Sequence, residues 1–457
     1  MFIRLTLIVR LVKVIYVGAV KKVKGISQIW KRKEFGFFIR LMDKGGIVMK
    51  LLKKKDAHSV YLYICFLSQM FFTYIFTVSL LYHVKVVGLD PLQLVIVGTV
   101  LELSVFLFEI PTGVVSDLKS RKLSIVIGYF LIGFGFLLEG LLPYFIPVLL
   151  AQIAWGIGYT FTSGSQQAWI ADEIGEERAS KAFIQGAKAS SIGTVIAIPL
   201  SIVTAFVTIS LPIVLGAFCM IGLAFWLIFF MKEENFQPVE EERLSTWRTM
   251  TGNMGKIISQ SKASFLLRML FLIALFIGFY SEGFDRLWLT HLLDVSKLAE
   301  MSDEILILLT GGLQLVVVVF SFVALHLLSK SKIYTSLSLI YMTLFIASLL
   351  IIIGLIGFAY ASFTLVAVIC YVLIQIIRKI MYPLEDVWLN KMIKDSNTRA
   401  TFFSVKGQVD AIGQIGGGPV IGLISTSFTV KAGLLASALL LSPVLILYQR
   451  VIRRAEK

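Results

Sequence analysis

The sequence predicts an all-α membrane protein with twelve transmembrane helices arranged as two pseudo-symmetric six-helix bundles. Three observations carry this expectation. The first is composition: of 457 residues, 57% are hydrophobic and 16% charged, with 35 Phe and a mean hydropathy of +0.87. A soluble domain carries closer to a quarter charged residues and cannot hide so much apolar surface from water. A cytosolic enzyme, a secreted disulfide scaffold and a disordered chain are thereby excluded. The second is a series of twelve windows long enough to cross a hydrocarbon layer about 30 Å thick. The third is the polar stretch 232–262, the longest between windows, which divides them six and six.

In chain order the windows are 58–83, 92–115, 123–142, 144–169, 182–207, 210–231, 264–291, 304–328, 334–358, 360–385, 402–426 and 430–449. Lys and Arg set their orientation. One set of loops carries Lys119, Arg121, Lys122, Arg178, Lys181, Lys330, Lys332, Lys391, Lys394 and Arg399, and the tail adds Arg450, Arg453, Arg454 and Lys457. The opposite loops carry only Lys85, Lys297 and Lys431. An even number of spans then places both termini in the cytoplasm of a multi-pass cell-membrane protein. The expected organisation is a basic extension (1–57), a first bundle (58–231), a cytoplasmic linker (232–262), a second bundle (263–450) and a basic tail (451–457). Net charge is +15, but the basic residues sit in short clusters between apolar runs, so topology accounts for them without a nucleic-acid partner. The extension is either a basic segment lying on anionic lipid or sequence ahead of a true start at Met49.

Cys65, Cys219 and Cys370 lie in separate apolar runs, and the four histidines are scattered, so no disulfide framework, metal or cofactor is expected. The two halves look duplicated. Trp169 precedes Arg178, Gly193 and Pro199 in the first; Trp388 precedes Arg399, Gly413 and Pro419 in the second, at nearly equal spacing. Transporters are often built from such repeats.

Between the second and third windows lies Glu109-Ile-Pro-Thr-Gly113-Val-Val-Ser-Asp117-Leu-Lys119-Ser-Arg121-Lys122. A glycine, an aspartate four residues on and a basic pair resemble the signature loop of the major facilitator superfamily, with Ser120 where a glycine is expected. Gly113 would let helices approach closely and Asp117 would face Arg121 or a helix N-terminus. The resemblance implies a latch on the cytoplasmic side, with Glu109 part of it; the equivalent loop of the second half, Ser329–Lys332, lacks the glycine and aspartate. The resemblance covers about residues 50–450. Ser281–Trp288 and Arg399-Ala-Thr look like a bacterial subgroup related to drug-efflux carriers. Three places depart from proton-driven drug antiporters: Gln152 before Gly156 replaces an arginine, Ala197–Leu200 replaces a Gly-Pro pattern, and a glycine-rich run falls instead at Gly416–Gly422.

Ionisable side chains at membrane depth are expensive and usually face a bundle interior or a wet cavity. Glu282 and Arg286, four apart on one helical face, and Asp285 beside them form either a proton or substrate site near the outer end of the seventh span or an ion-pair cluster holding that end. Glu102 stands seven residues before Glu109 on the same side of the second span. Arg378 and Lys379 would meet Glu385, Asp386 or Asp410; Asp410 is placed toward the cytoplasmic rim, and Lys188 and Lys406 are read as snorkelling. Aromatics crowd the first span (Tyr61, Tyr63, Phe66, Phe71, Phe72, Tyr74, Phe76) and the fourth (Trp155, Tyr159, Phe161), either lining a pocket for hydrophobic or cationic compounds or facing lipid. The resemblance therefore implies a monomeric alternating-access carrier of a small solute in membrane lipid, exporting amphipathic drug-like compounds against inward proton movement. Uptake or facilitated movement of another metabolite is the alternative within that class, and a non-transporting receptor or scaffold the alternative outside it. No nucleophile–base or metal constellation suggests an enzyme.

Overall fold

The computed structural model describes residues 56–237, 264–295, 298–393 and 396–455. The basic extension and most of the linker, including Glu240–Glu242, lie outside the described residues. Among those described there are helices and no strands. In the first half they are α1 (Ala57–Tyr82, continued by a π-turn His83–Val87), α2 (Pro91–Leu118), α3 (Arg121–Leu141), α4 (Phe145–Thr162), α5 (Ser165–Ile174), α6 (Glu176–Ala205) and α7 (Leu211–Phe230). The second half has α8 (Phe265–Val295), α9 (Asp303–Lys330), α10 (Leu337–Ala359), α11 (Thr364–Met392), α12 (Ser396–Ser427), α13 (Val430–Leu441) and α14 (Pro443–Ala455). They make twelve membrane-length rods, because α4 with α5 and α13 with α14 each form one broken rod. The first break falls at Gly164 (φ 73°), a conformation glycine adopts without cost. The second falls at Pro443, which cannot continue the α13 hydrogen-bond ladder.

Eleven of the rods are apolar enough to cross a membrane by composition alone. The exception is α12, whose middle carries Lys406, Gln408, Asp410 and Gln414 among glycines. That departure marks a helix whose polar face needs a protein or water environment rather than lipid.

The two halves repeat the same packing. In the first, α1 packs on α6 and α7, α3 on α4 and α7, and α2 on α4; in the second, α8 packs on α12 and α13, α10 on α11 and α13, and α9 on α11. The repeat signature lands on equivalent places. Trp169 and Trp388 are both fully buried. A Cβ on Gly193 would lie 2.6 Å from the Phe66 carbonyl oxygen of α1, and one on Gly413 would overlap the Leu275 carbonyl oxygen of α8. Each glycine lets two backbones touch at the same crossing of its bundle. Pro199 and Pro419 lie inside α6 and α12. The side chain of Arg399 lies outside the described residues.

Contacts between the halves are concentrated at the end away from the basic loops, hereafter the far end. There the Leu92 amide donates to Thr426 Oγ1 at 3.1 Å, Gln314 Nε2 donates to the Phe76 carbonyl at 3.2 Å, and Gly311 packs against Ile202 and Thr77. Toward the basic end a cavity separates α2 and α4 from α12. The molecule is closed at one end and parted at the other.

Candidate functional site: a cavity between the bundles

The cavity measures about 420 Å³ and is lined by Glu102, Phe106 and Glu109 of α2, Trp155 and Tyr159 of α4, and Phe403 and Gln408 of α12. Its far wall is an aromatic cluster. The Trp155 ring lies 4.9 Å from Phe76 and 5.4 Å from Phe136, with Phe72 packed on all three. Trp155 Nε1 is buried without a hydrogen-bond partner. The first- and fourth-span aromatics noted in the sequence therefore meet through Phe72, Phe76 and Trp155.

The carboxylates at this depth differ in what answers their charge. Arg286 Nε donates to Glu282 Oε1 at 2.8 Å. Asp285 receives both Arg378 Nη1 and Nη2, at 2.5 and 2.7 Å, in a fork that joins α8 to α11. Both pairs sit midway along α8 rather than near its outer end. The Glu282–Arg286 pair presses on α2, where a Cβ on Gly98 would overlap Glu282 and Arg286. Arg378 meets Asp285, not the residues Glu385, Asp386 or Asp410 that the sequence suggested for it. Those acids have another partner. Lys406 Nζ lies 2.9 Å from Glu385 Oε2 and 3.1 Å from Asp386 Oδ1, so Lys406 is ion-paired rather than snorkelling. Asp410 accepts from Gln414 Nε2 at 2.8 Å and lines a second, 240 Å³ cavity with Glu385, Asp386 and Lys406. It lies midway along α12, with its carbonyl against Gly278, and not at the rim.

Glu109 reaches the second bundle rather than the signature loop. It accepts a hydrogen bond from Gln408 Nε2 across the gap, because its turn of α2 faces α12 and not α3. Glu102 is different again. No side chain among the described residues hydrogen-bonds or ion-pairs with its carboxylate, and the charged groups that act on it are Glu282, Asp410 and Arg286.

The signature loop is built within the first bundle. Arg121 Nη1 donates to Asp117 Oδ1, Arg121 Nε lies 3.5 Å from Asp172 Oδ2 of α5, and its guanidinium stands 5.9 Å from the Phe236 ring. Ser120, the departure from the motif, is the N-cap of α3: its hydroxyl accepts from the Leu123 amide at 2.9 Å and donates to Glu233 at 2.5 Å. Glu233 also accepts the Lys122 amide, tying the segment after α7 to the loop. Gly113 does not make the expected close approach. No neighbour lies within 4 Å of where its Cβ would stand, because its turn borders the parted end.

One buried group escaped the sequence reading. Glu139 of α3 is fully buried, with His83 Nε2 at 2.8 Å and Gln152 Nε2 donating at 3.0 Å. Glu139 is a lone carboxyl in an apolar window, the signal that singled out Glu102.

Two bundles related by an internal repeat, parted at one end around a charged cavity, are an architecture that many membrane transporters share. The family model for the Major Facilitator Superfamily matches residues 13–197 and 61–384, and the chain belongs to that superfamily of secondary transporters. It is 25% identical over 366 residues, covering 79% of this chain and 87% of its relative, to YxaM of Bacillus subtilis (strain 168), an uncharacterized MFS-type transporter. Its fold is shared with a bacterial homolog of the human lysosomal transporter Spinster in an inward-facing, unoccupied conformation (TM-score 0.70, 15% identity, 87% of this chain and 96% of that one). It is shared also with the nucleoside transporter NupG (TM-score 0.68, 13% identity, 88% and 100%). The peptide transporter POT in complex with sulfate is a further fold neighbour (TM-score 0.66, 13% identity, 88% and 94%).

Proposed function

We propose that the chain exports amphipathic organic cations from the cytoplasm across the cell membrane in exchange for protons. The observation that carries this reading is Glu102: a carboxylate with no partner, on the wall of an aromatic cavity between the bundles. The cavity lies within the roughly 300–1,000 Å³ typical of small-molecule sites. Aromatic faces attract cations through the ring quadrupole, and an indole N–H without a partner offers a directed hydrogen bond. A cation and a proton compete for one carboxylate, so each displaces the other; that competition is the exchange.

On this reading the basic end is cytoplasmic, the two bundles (58–231 and 263–450) rock as bodies about the cavity, and 232–262 links them. The Asp117–Arg121–Asp172 group, with Lys122 and Gly113, is the cytoplasmic latch that engages the second bundle when the parted end closes. Glu282–Arg286 and Asp285–Arg378 hold α8 against α2 and α11. Facilitated movement of a different metabolite is favoured by one observation: Gln152 stands where drug antiporters of the resembled subgroup carry an arginine.

Direct binding tests the proposal without transport. Ethidium should bind the purified protein with an affinity that falls as pH falls, since protons then occupy the carboxylate. Glu102→Gln should weaken binding at neutral pH by about tenfold, the effect of about 1.4 kcal/mol, and flatten the pH dependence. Equal affinity and equal pH dependence in the variant would remove Glu102 from the site.

A further inference from the structure

The buried pair His83–Glu139 belongs to neither the cavity nor the latch. His83 opens the π-turn at the far end of α1, whose last residue is followed by Gly88 at φ 71°. Such turns insert a residue into a helix and often mark functional places. The two partners are 2% and 0% exposed. The rest of the coordination is short-range: Gln152 Nε2 of α4 holds the other carboxyl oxygen at 3.0 Å, and the Tyr82 hydroxyl donates to the Glu139 carbonyl at 2.6 Å. Gln152 Oε1 is buried and has no donor.

Charge accounting limits what this group can be. With one proton shared between them, His83 and Glu139 are together neutral. Without that proton an anion is left in an apolar interior, where an uncompensated charge costs several kcal/mol. Among the described residues, the charged and titratable groups on the elements around the pair are few. α1 contributes Tyr82 and, on the surface, Lys85; α2 contributes Asp90, exposed at its N-cap; α3 contributes Glu139 itself; α4 contributes neutral Gln152 and exposed Tyr144; the part of α7 packed on Gly140 is Ile213 and Val214. An arginine at 152 would have answered the carboxylate permanently. Glutamine leaves the task to a histidine, which can lose its charge.

Position gives the pair leverage. Glu139 lies one turn beyond Phe136 on α3, and Gln152 one turn beyond Trp155 on α4, so the pair sits directly behind the aromatic wall of the cavity. On α1 the same helix end carries Phe76 and Thr77, which touch Gln314 and Gly311 of the second bundle.

We propose that His83–Glu139 is a proton-binding site, separate from Glu102, whose occupancy holds the far end of the carrier closed. The bound proton lets α1 seat on α3 and α4 and keep its contacts with α9, as in this structure. Loss of the proton exposes a buried anion, which water relieves only if the helix end lifts, and that opens the far end. A proton arriving from outside would then return an exporter to its cytoplasm-facing state. The physical role rests on the alternating-access reading; its identity as a proton site does not depend on the substrate.

Spin labels at Val207 and Met301, exposed at the far ends of α6 and ahead of α9, read the separation in protein freed of Cys65, Cys219 and Cys370. In the otherwise native chain the distance distribution should shift from a short to a long population as pH is raised, the ratio changing by up to about tenfold per pH unit, the limit for one linked proton. In His83→Gln and in Glu139→Gln the ratio should no longer follow pH. Thermal unfolding of each variant confirms that it is folded; should either fail to fold, Gln152→Leu, which removes one hydrogen bond to the carboxyl and leaves the pair, should displace the midpoint of the shift. A pH-driven shift that survives in folded Glu139→Gln, or a native protein with no shift, overturns the proposal. A shift present in the native protein and lost in both variants, together with no proton-driven transport by the native protein, leaves the site standing and removes the exchange reading instead.

Discussion

Glu282, Asp285, Glu109 and Glu102 lie within a few turns of one another, and each has a different answer to its charge: one guanidinium, a forked guanidinium, an amide and nothing. Partners decide roles here. A carboxylate held by a buried arginine is a fastening; one left open to a cavity is available to a ligand. The fastening can be measured. Asp285→Asn removes a forked, charge-assisted pair whose carboxylate is partly exposed and should destabilise the protein by about 1–3 kcal/mol, read as a lower thermal unfolding midpoint in detergent. Asp285→Asn with Arg378→Met should regain most of that loss. A single variant as stable as the native protein would show that the fork does not pin α8 to α11. The sequence locates such residues because an ionisable group in an apolar window is conspicuous without a fold. It cannot pair them: Arg378 has two acids about two turns along its own helix, yet the partner it meets is 93 residues away on α8. Glu139 was as visible as Glu102, and His83, at the end of the first apolar window, gave no hint of its neighbour 56 residues on.

Helices fail or bend where their residues require it. Gly164 and Pro443 break the fourth and twelfth rods, and Pro111, Pro199, Pro383 and Pro419 lie within α2, α6, α11 and α12. α12 crosses α8 almost backbone to backbone through Gly278, Gly413 and Gly417. The windows in the sequence give the rods to within several residues, since hydropathy reports where lipid must be met. The breaks are less legible, because a glycine or proline inside an apolar run reads the same whether it bends a helix or ends it. The loop between α2 and α3 joins both scales. Its Asp117–Arg121 pair matches the spacing in the sequence, while the capping role of Ser120 and the docking of Glu233 need the folded chain. Asp117→Asn frees Arg121 from its nearest anion but keeps Asp172 within reach. Transport should fall by about tenfold or more, with thermal stability little changed because a half-exposed pair contributes little. Native rates in that variant would exclude the latch.

The whole molecule follows from twelve rods divided by one polar segment, and both facts stand in the composition. Its two-fold plan was legible too, since Trp169 and Trp388, Gly193 and Gly413, and Pro199 and Pro419 occupy matching places in the two bundles. Which end is parted was not. That depends on small differences between contacts such as Leu92–Thr426 and Gln314–Phe76 and the space beside Gly113, which a linear pattern does not encode. The cavity is likewise a property of two bundles together: Glu102 and Phe403 acquire a common purpose only across the gap. Vesicles of purified protein, loaded with ethidium and given a pH gradient, test the central claim most directly. The account predicts ethidium movement against the proton flow, at a rate that collapses with the gradient and is lost in Glu102→Gln while the variant keeps its fold. Gradient-driven movement at the native rate in that variant, or none in the native protein for any organic cation, would contradict it.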